Sequence, residues 1–388
     1  MKKIVYIHVL PFFSAVILSY FFLKLNYSPC TKPSKTVVIS GLSNKKNYIS
    51  TVDSEPKNQF ALIESLSDKN SVTVFGSSEL TTDTPYIPNN FLPDSINISC
   101  RAFGHAYFQS FALYCQLLGM KEYIRNSKIC IIISPGWFES DGTNIEAFLE
   151  HVRPEFLKKI IWDSSISISQ KKMIGNYLNK HWDQIDYPSS EIEYFQLLAS
   201  RKSFIQQFKL NHIRKNFIYN CKYHLEPTLK SKHGIIPNNI DWKRAYVKVK
   251  STFSENSKSN RFFISDFYFN QHIKTIKNYE KKEYEPLSLE SNTELNDLLK
   301  LIRFLKEEKV KPVFIVQGLN PYCYNNLDKF NPILNVIKAE CKKQGFPILD
   351  LFSDNKKNYE PGILNDVMHM GDYGWLKVNQ FIKQSFYE

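Results

Sequence analysis

A serine, a histidine and an aspartate in this chain have the side chains that acyl transfer needs, although they stand far apart. The apolar run Val72-Thr73-Val74-Phe75 ends in Gly76-Ser77-Ser78-Glu79-Leu80, a serine pair on a sharp turn after a buried strand. Near the C-terminus stands Asp366-Val367-Met368-His369. A serine hydroxyl is a weak nucleophile at neutral pH until a base takes its proton. His369 can be that base through one ring nitrogen, while Asp366 orients the ring and stabilises the imidazolium through the other. The oxyanion that forms on the substrate then needs N–H donors placed beforehand. The backbone N–H groups of Ser78 and Gly104 are the candidates, since a glycine at 104 lets the backbone approach without a Cβ in the way.

Each piece has a plainer explanation when taken alone. A Gly-Ser-Ser turn after a strand is commonly a helix N-cap. His369 with Asp366 and Asp372 is a partial metal set. Spacing does not separate Ser77 from Ser78 as the nucleophile. The joint placement of these residues argues for catalysis, because open α/β sheets bind ligands beyond the C-terminal ends of their strands. Ser78, Gly104 and Ser134 to Trp137 each follow a strand, and the Asp366/His369 loop follows the last one. On this reading Ser77, Glu79, His105, Gln109, Ser134, Gly136 and Trp137 line the substrate pocket. The remaining histidines form no metal spacing, so neither a metal nor a cofactor is expected.

The elements that must position these residues are legible as short apolar runs alternating with helical stretches, the pattern of a parallel sheet. Strands are expected at Val72 to Phe75, Ser95 to Ser99, Ile129 to Ile133, Pro312 to Val316 and Pro347 to Leu351. Helical periodicity runs through Phe108, Phe111, Ala112, Cys115 and Leu118, and through Leu295, Leu298, Leu299, Ile302 and Leu305. Two further helices carry Ile333, Val336 and Ile337, ended by Gly345, and Trp375, Val378 and Ile382. The expected fold class is α/β: a three-layer sandwich around a flavodoxin-like parallel sheet. Residues 26 to about 70 read as a polar stalk with some edge structure, and 71–388 as the catalytic domain. From about 143 to 290 the strand signal fades, which points to a helical insertion over the sheet.

Residues 4–23 are almost unbrokenly apolar and flanked by Lys2, Lys3 and Lys24, long enough to cross a bilayer. Residues 1–25 are therefore expected to be an uncleaved transmembrane anchor with a short cytoplasmic end, leaving the domain outside. The formal charge of +12 favours an anionic partner, either a polymer or a membrane lipid surface. Between Arg201 and Lys250 twelve Lys or Arg face only Glu226 and Asp241, with aromatics interleaved. No zinc-finger, helix-turn-helix or RNP spacing accompanies that stretch, so nucleic acid is not the expected partner. The seven cysteines are scattered, without the spacing of a metal site or a disulfide framework.

Together these residues resemble the blocks of the SGNH hydrolase superfamily: Gly76-Ser77-Ser78, Gly104 and Asp366/His369. Within it the chain is similar to the DltD family, on the N-terminal anchor, Phe75-Gly76-Ser77-Ser78-Glu79-Leu80, Gln109-Ser110-Phe111 and Ile133-Ser134-Pro135-Gly136-Trp137-Phe138. The resemblance implies an extracytoplasmic membrane protein acting in D-alanylation of teichoic acid beside a membrane-bound O-acyltransferase, with Ser78 carrying D-alanyl transiently. Gly136 stands where the family pattern has Gln, and Gln317 to Tyr322 departs from its Gly-Lys-Trp-Tyr pattern. The superfamily's oxyanion Asn has no counterpart at 134–137. Two other readings stand beside this one. One is an O-acetyl transferase or esterase on an exopolysaccharide, and the other is a non-catalytic scaffold binding an acyltransferase and polymer.

Overall fold

The computed structural model describes residues 48–52, 56–139, 141–186, 188–200, 237–276 and 280–388, with the side chains of 56–60 outside that description. The expected anchor at 4–23 and most of the basic stretch, 201–236, lie outside the described residues. Among the described residues no helix is long and apolar enough to cross a membrane.

The strands are β1 (Tyr48–Ser50), β2 (Val72–Gly76), β3 (Cys100–Gly104), β4 (Lys128–Ile133), β5 (Lys282–Glu283), β6 (Lys311–Val316), β7 (Tyr324–Asn325) and β8 (Ile348–Asp350). Six of them form one sheet in the order β1-β3-β2-β4-β6-β8, parallel at every pairing. β5 and β7 pair separately. The longer helices are α1 (Pro56–Ser67), α2 (Ser110–Gly119), α3 (Ile145–His151), α4 (Pro154–Trp162), α5 (Ile168–Lys180), α6 (Ser190–Ala199), α7 (Trp242–Asn256), α8 (Thr293–Glu307), α9 (Asn331–Gln344) and α10 (Asp372–Tyr387).

The sheet is covered on both faces, and its side chains alternate between two cores as strand geometry requires. In β4, Ile129, Ile131 and Ile133 enter the core under α1, α2, α8 and α9, while Cys130 and Ile132 enter the core under α10. In β6, Phe314 and Val316 join the first core, and Val313 and Ile315 the second. A sheet buried on both faces explains why these strands read as continuous apolar runs. The helices follow their stripes: α8 buries Leu295, Leu298, Leu301, Ile302 and Leu305 and is capped by Asn292, whose side chain accepts from Leu295 N–H at 2.8 Å. α9 stops at Gly345, which takes φ 75° as the left-handed residue after the helix.

Three expectations need correction. The strand placed at Ser95 to Ser99 forms at Cys100–Gly104 instead; residues 92–96 close a wide helical turn that ends on left-handed Asn97, φ 62°. The folded domain also begins before residue 71. β1 pairs with β3 as an edge strand, and α1 buries Ala61, Leu62, Ile63 and Leu66 in the core. The described residues of the insertion are mainly helical but divide between the faces: α4 and α3 pack on α2, whereas α7 packs on α10 across the sheet.

The chain passes from central β2 to β3 on one side and then to β4 on the other. That reversal makes the C-terminal ends of β2 and β4 the topological switch point, the place where doubly wound sheets hold ligands. Ser78 lies one residue beyond Ser77 at the end of β2.

Candidate active site

β2 ends in a single 3₁₀ turn, Ser78–Thr81. Ser78 Oγ lies 3.1 Å from His369 Nε2, across 291 positions of sequence. His369 Nδ1 lies 2.8 Å from Asp366 Oδ2. The other oxygen of that carboxylate accepts the backbone N–H groups of Met368 at 2.8 Å and His369 at 2.7 Å. One aspartate therefore folds the loop and aims the ring. With Nδ1–H donating to Asp366, the Nε2 lone pair is left to accept the Ser78 hydroxyl.

Electrostatics suit a base in this position. The hydrogen bond to Asp366 raises the imidazole of His369 above its usual range, against the opposing effect of burial, and the negative charges of Asp366 and Glu79 add to it. Glu79 itself is fully buried, and burial pushes its carboxyl up while hydrogen bonds from the backbone, Ser77 N–H first, hold it back.

The neighbouring serines diverge. Ser77 is buried and its hydroxyl donates to the His105 carbonyl at 3.1 Å, so it is turned into the sheet and away from His369. Glu79 is not a pocket wall, since its carboxylate is folded back onto Ser77 N–H at 2.6 Å. Asp372 is not aimed at His369 either; it accepts the Thr84 hydroxyl at 2.6 Å in the first turn of α10.

Gly104 takes a different place from the one expected. Its carbonyl accepts Thr51 N–H at 3.2 Å and the Tyr48 hydroxyl at 2.9 Å, so its backbone polar groups face β1. In a parallel ladder the N–H and C=O of one residue point to the same neighbour, which turns the Gly104 N–H away from Ser78. The glycine serves packing instead: a Cβ there would overlap the Gly76 carbonyl, and one on Gly76 would overlap the Glu79 carboxylate.

The loops after β3 and β4 join at the same sheet edge through Gln109, whose side chain donates to the Trp137 carbonyl at 3.3 Å. Gln109 and Trp137 are buried, whereas His105, Ser134 and Gly136 are half-buried at this edge. The space beside Gly136 is open, its nearest neighbour being Ser134 Oγ, 3.8 Å from where a Cβ would sit.

Five residues were not anticipated in the places the structure gives them. Gln317 donates to the Met368 carbonyl, and Asn320 N–H to the Val367 carbonyl at 3.1 Å, so the loop after β6 holds the Asp366/His369 loop. His151 is buried between Thr51 Oγ1 at 2.7 Å and the Ala106 carbonyl at 3.1 Å, and burial lowers its imidazole to about 4. Glu294 is buried under the start of α2 and accepts Ser110 N–H at 2.9 Å, and burial pushes its carboxyl up to about 8. Tyr107, 67% exposed, holds φ 64° in the loop after β3, a conformation costly for a bulky residue. A buried His or Glu inside an apolar helical stripe was the signal available for two of these.

A doubly wound parallel sheet with serine, histidine and aspartate hydrogen-bonded in series at its C-terminal edge is the arrangement seen in SGNH-hydrolase-like proteins and other α/β serine hydrolases. A family model described as DltD protein matches residues 49–388. The chain belongs to the DltD family. It is 21% identical over 322 residues to Protein DltD of Staphylococcus aureus (strain NCTC 8325 / PS 47), covering 80% of this chain and 79% of the relative. It is 20% identical over 350 residues to Protein DltD of Bacillus subtilis (strain 168), covering 83% of each. It is also 20% identical over 338 residues to Protein DltD of Lacticaseibacillus rhamnosus, covering 81% of this chain and 77% of the relative.

Proposed function

We propose that this chain is a membrane-anchored, extracytoplasmic serine acyltransferase that passes D-alanyl groups to teichoic acid or a similar anionic envelope polymer. The observation that carries the reading is the 3.1 Å approach of Ser78 Oγ to His369 Nε2. Family membership supplies the D-alanyl chemistry. The apolar run at 4–23 supplies the anchor, with the N-terminus cytoplasmic.

In this mechanism Ser78 Oγ attacks the acyl carbonyl as its proton passes to His369 Nε2, and Asp366 stabilises the imidazolium. The tetrahedral oxyanion is met by the N–H of Ser78, at the open start of the 3₁₀ turn, where backbone donors lack partners. Collapse expels the donor's leaving group, which takes the proton from His369, and leaves an acyl ester on Ser78. A polymer hydroxyl then repeats the steps in reverse, deprotonated by His369, and carries the acyl group away. A membrane-bound O-acyltransferase of a D-alanine export system is the proposed supplier of the acyl group.

The test compares ester-linked D-alanine and acetate in envelope polymers from cells carrying the wild type or Ser78→Ala. Loss of D-alanine ester alone supports the reading. Loss of acetate instead assigns the same residues to O-acetyl transfer, and no change in either removes the enzyme reading.

A further inference from the structure

Residues 258–276 form a surface that the proposed chemistry does not use. Seven large apolar side chains are at least about a third exposed among the described residues, and three of them, Phe263, Phe267 and Ile276, fall in this short segment. Phe267 is 72% exposed. Around them stand Lys258, Arg261 and Lys274, which line an open groove of about 580 Å³ with Ile273 and Ile276. Among the described residues no carboxylate pairs with these three cations. The one acid of the segment, Asp266, is taken up by Ser259 N–H at 3.0 Å and Asn260 Nδ2 at 2.8 Å. Phe263 extends the surface by packing on Tyr322 at 4.7 Å between ring centroids, and Lys356 lies over the same Tyr322 ring.

This surface is fastened to the Ser–His–Asp site. Ser265 N–H donates to the Asn365 carbonyl at 2.8 Å, and Asn365 N–H donates to the His369 carbonyl at 2.9 Å. Asn320, which holds the Val367 carbonyl, also donates to the Phe262 carbonyl at 2.9 Å. The segment therefore shares the C-terminal edge of the sheet with Ser78 and is hydrogen-bonded to the loop that carries His369.

The geometry points to 258–276 as a membrane-docking surface, in which Phe263, Phe267 and Ile276 enter the headgroup region of an anionic bilayer while Lys258, Arg261 and Lys274 meet lipid phosphates. Aromatic tips flanked by unpaired cations are the chemistry of an interfacial segment. A soluble polyanion would use the cations but leave the three apolar side chains in water. The inference rests on the reading of the chain as membrane-tethered, since an anchor at 4–23 would keep this surface at high local concentration near lipid. Docking by this edge turns Ser78 toward the membrane, from which a membrane-bound donor can reach it.

The test uses the full chain in nanodiscs, with amide exchange followed across 258–276. In discs of equal parts phosphatidylglycerol and phosphatidylcholine, exchange there slows on the order of tenfold relative to pure phosphatidylcholine discs, as expected for three cations at an anionic surface. The Phe263→Ser/Phe267→Ser variant loses that protection but keeps fluorophosphonate labelling of Ser78. Equal exchange in the two discs overturns the proposal. So does equal protection when soluble poly(glycerol phosphate) is added to phosphatidylcholine discs, which reassigns the surface to polymer. Failure of Ser78 to label in the wild type strikes the acyl-transfer reading and leaves the docking result standing.

Discussion

The carboxylate of Glu79 accepts the backbone N–H of Ser77 at 2.6 Å, and this bond sets the turn that presents Ser78. It also fills the space that glycine at 76 leaves open. Glu79→Ala strands a buried N–H, costing about 1–3 kcal/mol, and loosens the turn. Glu79→Gln keeps an acceptor oxygen in place. The midpoint of chemical denaturation and the rate of fluorophosphonate labelling are both expected to fall in the alanine variant and to stay closer to wild type in the glutamine variant.

His369 must be neutral to take the Ser78 proton, and its imidazole is raised by Asp366. Acyl-transfer activity is therefore expected to fall on acidification, with the midpoint above the ~6.5 of an unperturbed histidine. The stability term runs the other way. A base with a raised folded value stabilises fully below its unfolded value and loses that contribution as pH rises through the folded one. A pH–rate profile paired with thermal melts of wild type and Asp366→Asn checks both signs. The Asn variant is expected to lose on the order of 10⁴-fold in rate, by analogy with removal of the triad aspartate elsewhere.

Gly104 and Gly76 are packed against backbone and carboxylate, whereas Gly136 faces open space. Gly104→Ala is expected to cost about 1–3 kcal/mol or more through overpacking, and Gly76→Ala a similar amount. Gly136→Ala should leave the unfolding midpoint unchanged within the roughly 0.5 kcal/mol typical of sites without such contacts. Urea denaturation of the three variants tests the reassignment of Gly104 from donor to packing residue.

Glu294 carries a carboxyl raised to about 8 beneath α2. An acid of this kind contributes stability below its unfolded value, near 4.5, and loses it as pH climbs through the folded one. Glu294→Gln preserves an acceptor for Ser110 N–H without titrating. The difference in melting temperature, variant minus wild type, is expected to become more positive between pH 5 and about 9, as melts in matched buffers would show.

The central strands were legible because β2, β4 and β6 are buried on both faces and therefore read as unbroken apolar runs. β3 was misplaced for a physical reason. Ile96, Ile98, Cys100 and Ala102 alternate with one period and are all buried, so the pattern does not mark where the turn ends and the ladder begins. β1 has three residues, too few for a periodic signal, so the pairing that draws the Gly104 carbonyl toward Thr51 N–H could not be read from the pattern around Gly104. The Ser78–His369–Asp366 contact was legible in outline because parallel topology brings every post-strand loop to one edge. The choice between Ser77 and Ser78 was not, since it depends on which hydroxyl the His105 carbonyl captures.

The most direct measurement is peptide mapping of the full chain after reaction with a fluorophosphonate, comparing wild type with Ser77→Ala, Ser78→Ala and His369→Ala. The Ser78–His369 pairing predicts a single adduct on Ser78, retained in Ser77→Ala, absent in Ser78→Ala, and formed at least about 10²-fold more slowly in His369→Ala. An adduct on Ser77, or a Ser78 adduct that forms at the wild-type rate without His369, would contradict it.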